Sequence, residues 1–142
     1  MGLSFSPSDT ISGNNNAGGY LSVSADCPSC LYFASTNGIW KSIDDGLTYT
    51  FLNNPPQSCL GFAVNDLDTS AMIYGYVDIE ASLDGGQTFN QITSWYLGHS
   101  MHGSGSYMDK LHNSGHYVHG DLHPAICLNG VFYIGTDGFF CK

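Results

Sequence analysis

Two stretches of the chain, Ser42–Tyr49 (S-I-D-D-G-L-T-Y) and Ser82–Phe89 (S-L-D-G-G-Q-T-F), share the pattern Ser-x-Asp-x-Gly-x-Thr-aromatic. Their serines are 40 residues apart. A period of this length marks a repeat architecture, in which each repeat is one small unit that cannot bury its apolar face alone. Each stretch is also a tight turn by its own chemistry. Glycine accepts positive φ, and aspartate bonds the backbone two residues on. The Ser and Thr hydroxyls and the Asp carboxylate can satisfy N–H groups that a tight turn leaves unpaired. The aromatic then re-enters the sheet.

Degenerate copies frame the chain. Gly2-Leu3-Ser4-Phe5 matches Gly46-Leu47-Thr48-Tyr49, and Gly138-Phe139-Phe140-Cys141 matches the start of Gly38-Ile39-Trp40-Lys41. The chain is therefore expected to begin in the second half of one such turn and to stop just before another. The pattern resembles the Asp-box of the bacterial-neuraminidase-repeat and sortilin-type β-propellers. That resemblance implies a turn between the two outer strands of a propeller blade, built on Ser42, Asp44, Gly46 and Thr48 and again on Ser82, Asp84, Gly86 and Thr88. It also implies that Asp44 and Asp84 sit on the outer rim, far from an active site.

Composition agrees with short strands and many turns: 18 Gly, 9 Tyr and 8 Phe among 142 residues. The length is enough for one domain with a core. There is no Arg, and the only lysines are Lys41, Lys110 and Lys142, for a net charge of −9. That balance excludes a nucleic-acid binder, which needs cations for phosphates, and docking on an anionic membrane. It suits sugars or cationic protein partners. No secretory signal or membrane span is visible, so an export signal for an extracellular protein is expected outside this chain. Met1-Gly2-Leu3-Ser4-Phe5-Ser6 formally fits a myristoylation pattern, but reads first as a box remnant.

Read in order, Gly2–Ser6 is expected as an outer strand. A four-stranded blade over 19–52 follows, with strands Tyr20–Ala25, Leu31–Thr36, Ile39–Ile43 and Leu47–Leu52. A second blade over 59–93 has strands Leu60–Asn65, Met72–Tyr76, Ile79–Leu83 and Thr88–Thr93. Trp95–Tyr117 is a Gly-, Ser- and His-rich insertion; long loops of this kind usually carry function. A partial blade over 118–142 closes the chain, with strands His119–Leu128, Val131–Thr136 and 138–142. The fold class expected is all-β: about three antiparallel four-stranded blades with box turns, open or completed by other chains. Closed propellers use four to eight blades, and open edges invite pairing. A head-to-tail contact would set strand 138–142 of one copy beside strand 2–6 of the next; two copies could close a six-bladed ring, or a filament could grow.

Three groups of residues could carry chemistry. His119, Asp121 and His123 would share one face of a strand, as a polar network across the blade centre, a divalent-metal or ligand site, or an acid/base cluster. The segment from His119 to Gly138 resembles the His-x-Asp-x-His … Tyr-x-Gly-x-Asp-Gly pattern of sortilin-type and glycosidase-like propellers, a resemblance specific for fold rather than activity. His99, His102, His112 and His116 could extend that site or lie in a solvated or interface loop. Cys27-Pro28-Ser29-Cys30 reads as a hairpin turn holding a local disulfide or two plain thiols, with redox or zinc chemistry less favoured because no second Cys-x-x-Cys exists. Trp40, Tyr49, Phe51, Trp95 and Tyr96 could stack on sugars or fill the space between blades. Sialidase chemistry needs arginines, which are absent. A propeller glycosidase would need two facing carboxylates, for which only Asp121 with Asp137 or Asp78 qualifies. The expectation is thus a non-catalytic extracellular or cell-surface module. It would bind protein or glycan, or assemble through open blade edges with itself or with further blades. The alternative is a fragment of a propeller-type glycoside hydrolase.

Overall fold

The computed structural model of the chain describes residues 19–54, 58–93, 118–138 and 140–142. The expected outer strand 2–6 and the insertion 95–117 lie outside the described residues. Among the described residues eleven strands form three antiparallel sheets, none of them closed. Sheet I holds β1 (Gly19–Ser24), β2 (Cys27–Ser35), β3 (Gly38–Ser42) and β4 (Thr50–Asn53) in that order. Sheet II holds β5 (Gly61–Val64), β6 (Met72–Gly75), β7 (Ile79–Ser82) and β8 (Asn90–Gln91). Sheet III holds β9 (Leu122–Leu128), β10 (Val131–Thr136) and β11 (Phe140–Cys141). Each is a meander whose sequence neighbours pair in space, as the blade-like reading expects.

Several strand boundaries differ from the sequence reading. The outer strands begin later, at Thr50 and Asn90 rather than Leu47 and Thr88. The box turns use up those residues, because Asp44 and Asp84 hold the chain in non-extended conformation as far as Thr48 and Thr88. The first hairpin turns at Ala25-Asp26, not at Cys27–Cys30. Pairing then jumps from Ser24↔Cys27 to Val23↔Leu31, so Pro28, Ser29 and Cys30 form an excursion at the start of β2. In sheet III, β9 starts at Leu122 rather than His119, because Asp121 has φ +62° and breaks the extended run.

The three sheets stack face to face, with β1, β5 and β9 adjacent. Between sheets I and II, Tyr32, Ala34 and Ile39 meet Phe62, Val64, Met72 and Tyr74, all buried. Between sheets II and III, Ala63, Ile73 and Ile79 meet Val118, Leu122, Ala125 and Ile134. Sheet II is thus buried on both faces, which explains its unbroken apolar strands Gly61–Val64 and Met72–Gly75. The paired glycines Gly61 and Gly75 form a dimple for Leu122. A Cβ on Gly61 would lie 2.5 Å from the His123 carbonyl oxygen, so sheets II and III approach this closely only over glycine. The Leu122 N–H completes the contact by donating to the Tyr76 carbonyl at 2.7 Å.

Strand β1 inverts the simple amphipathic rule. Its serines point inward: Ser22 Oγ accepts the Val64 N–H at 2.9 Å, and Ser24 Oγ donates to the Asn65 carbonyl at 2.8 Å. Leu21 and Val23 consequently face outward, 67% and 63% exposed. The serines satisfy polar backbone where two strands meet without ladder pairing, a job no aliphatic side chain could do.

Candidate functional site

In these meanders the first hairpin and the box turn fall at one end of a sheet, and the middle hairpin at the other. The box end is a set of repeated polar locks. In the first box Ser42 Oγ accepts the Gly46 N–H at 2.9 Å and donates to Asp44 Oδ1 at 2.7 Å. Asp44 accepts from the Thr48 N–H at 2.9 Å and from Thr48 Oγ1 at 2.7 Å. The second box repeats each bond with Ser82, Asp84, Gly86 and Thr88, at 2.9, 2.8, 2.9 and 2.6 Å. Gly46 and Gly86 take φ +85° and +88°, as the turn requires. Both carboxylates are held down at about 2, first by the Thr hydroxyl, then by the Thr N–H and the Ser hydroxyl. Both carboxylates are engaged through both oxygens by the turn itself.

A second repeated device was not read from the sequence. Asp26 and Asp66, also 40 residues apart, each reach from one sheet's first hairpin to the next sheet's. Asp26 accepts the Thr69 N–H at 3.1 Å and Thr69 Oγ1 at 3.2 Å. Asp66 accepts the N–H groups of Asn129 and Gly130, both at 2.8 Å. Those bonds, with that from Gly130 foremost, lower the Asp66 pKa. Asn129 and Gly130 both have positive φ, the conformation of a tight two-residue hairpin turn. The shared 40-residue spacing was the available signal.

The opposite end carries the histidines. His119, Asp121 and His123 do not line one strand face as expected. His119 and Asp121 precede β9, and the His119 ring lies against Gly138. His123 Nε2 donates to Asp137 Oδ1 at 2.5 Å, with both side chains about half exposed. His119, Gly120, Asp121 and Val77 line a small recess of about 150 Å³. Among the described residues no group of three His, Cys, Asp or Glu side chains is placed to hold a metal ion. Positive φ at Asp121 takes away the alternation that would have set His119, Asp121 and His123 on one strand face for a divalent metal. What the geometry does assemble is an exposed imidazole–carboxylate pair, His123–Asp137. His99, His102, His112 and His116, with Trp95 and Tyr96, lie outside the described residues.

Cys27 and Cys30 form a disulfide that closes the excursion at the start of β2. The Ser29 carbonyl within it accepts the Asp45 N–H of the first box at 3.0 Å. Cys59, Cys127 and Cys141 are free thiols; burial pushes Cys59 up to about 12. Trp40 lies between Phe33 and Phe51, with ring centroids 5.8 Å from each, tilted against the first and edge-on to the second, on the outward face of sheet I. Neither a protein-family model nor a curated protein sequence matches the chain. Fold and site together define an all-β protein of stacked, repeat-like sheets.

Proposed function

We propose that this chain is a non-catalytic module of propeller-type blades that works by assembling with further blades. The observation carrying this reading is that sheet II is apolar and buried on both faces, whereas sheets I and III each leave one apolar face outward. The two box turns, matching bond for bond, support the Asp-box resemblance. The carboxylates support a structural role: Asp26, Asp44, Asp66, Asp68 and Asp84 all accept from turn N–H or hydroxyl groups. The Cys27–Cys30 disulfide supports an oxidising, extracellular or cell-surface setting. The test is the solution mass of the chain by light scattering from micromolar to millimolar concentration. Mass rising above the 15.3 kDa of one copy is expected. A monomer throughout, turning over an aryl glycoside and losing that activity in Asp137→Asn, would replace this reading with the hydrolase one.

A further inference from the structure

The strand registers of sheets I and II superpose, so positions correspond without ambiguity. Leu21 pairs with Phe33 as Phe62 pairs with Tyr74, and Val23 pairs with Leu31 as Val64 pairs with Met72. In sheet II these four positions are buried against sheet I. In sheet I the same four positions are equally apolar, and the described neighbours on that face belong to sheet I and its box turn: Trp40 beside Phe33, and Gly46 beside Leu31. Leu21 and Val23 are largely exposed, and Leu31 and Phe33 are half-buried. The outward face of sheet I is therefore built like a face already seen receiving a sheet. At the far end of the stack, sheet III turns Ile126, Leu128, Val131 and Phe140 outward, with Ile126 60% and Phe140 65% exposed. Tyr133 stacks on Phe140 at 5.8 Å on this face.

Resting on the assembly reading above, we infer that the outward face of sheet I receives the outward face of sheet III from a second copy of this chain. The contact continues the sheet-on-sheet packing already present at the two internal interfaces. In a chain of net charge −9, none of the face residues named is an Asp, Glu or Lys, so these side chains set no like charges against each other. The two halves differ, so the contact is head-to-tail and runs on until it closes or forms a filament. It is a face contact and does not depend on pairing of strand edges.

Two double variants test it by light scattering. Leu21→Asp with Val23→Asp disables the receiving face, and Ile126→Asp with Leu128→Asp disables the inserting face. All four side chains are more than half exposed, so each variant is expected to keep the far-ultraviolet circular dichroism of the parent. Val23→Lys and Phe140→Lys serve as a second pair if either aspartate variant fails to fold. Each variant alone is expected to weaken association about 100-fold or more. Mixed in equal amounts, they should form a 1:1 dimer that grows no further, because one working half remains on each copy. Two results overturn the inference. If the parent assembles but the variants assemble like it, the head-to-tail face contact fails while assembly stands. If one variant stays fully associated by itself, the contact joins like faces. A parent that is monomeric at every concentration overturns both readings.

Discussion

Sheets I and II solve one problem with different chemistry. In each, the loop entering the second strand must offer a carbonyl to the residue after the box aspartate. In sheet I the Ser29 carbonyl reaches the Asp45 N–H at 3.0 Å, and the Cys27–Cys30 disulfide closes that loop. In sheet II the Ser70 carbonyl reaches the Gly85 N–H at 2.9 Å, and Asp68 closes the loop by accepting the Ser70 N–H and hydroxyl. The repeat keeps the bond and lets the staple vary. The reverse holds for the faces: at corresponding positions the chemistry is alike and the burial differs.

The largest expected effect comes from the faces. Phe62→Ala, in the buried copy, should cost about 3–5 kcal/mol, and Leu21→Ala, in the exposed copy, within about 0.5 kcal/mol. Urea unfolding in dilute solution measures both; equal losses would mean that the outward face is covered within one chain. Next come the staples. Reducing Cys27–Cys30 should cost about 2 kcal/mol, the loop being short, and Asp68→Ala should lower stability by less. Thermal unfolding with and without reductant decides the order, and no response to reductant would leave the disulfide without a part in holding the loop.

Smaller still is the effect of the residue after the box aspartate. Asp45 has φ +58° where the second box has Gly85 at +76°. Asp45→Gly should therefore stabilise, or cost nothing, and Gly85→Ala should destabilise by about 1 kcal/mol. Gly85 has open space around a built Cβ, so backbone strain alone is being measured. A stabilised Gly85→Ala protein would argue against the left-handed turn. Last is the pH dependence shared by the boxes. Asp44 and Asp84 titrate at about 2 when folded, against 3.8 ordinarily. Their contribution is fully present above about pH 4 and is lost as pH falls towards 2. Asp44→Asn and Asp84→Asn should each flatten the melting temperature between pH 4 and 2 by a similar amount. Unequal flattening would show that the two boxes are not equivalent locks.

Much of the fold was legible because the turns are local. Ser42, Asp44 and Thr48 lie within a few residues of one another and bond each other, so their spacing encodes their geometry. Strand number in sheets I and II follows from the turns between them. The start of β9 was misread because one residue, Asp121, takes a left-handed conformation that its residue type permits but does not announce. The His119/Asp121/His123 alignment failed with it, and the His123–Asp137 pair emerged instead because β9 and β10 are antiparallel neighbours. The Asp26 and Asp66 clasps were missed although their spacing matches the boxes, since their partners lie in the neighbouring sheet.

By itself the sequence determined the all-β class, the 40-residue repeat and the two box turns, because bonds spanning four residues or fewer need no knowledge of the rest of the chain. Only the tertiary structure decided which side of each strand is inside. Tyr20-Leu21-Ser22-Val23-Ser24 alternates perfectly well in either orientation. The choice fell to the backbone at the end of β5 and just beyond it, where polar groups at Val64 and Asn65 are met by Ser22 and Ser24. That arrangement turned Leu21 and Val23 out to form an apolar face.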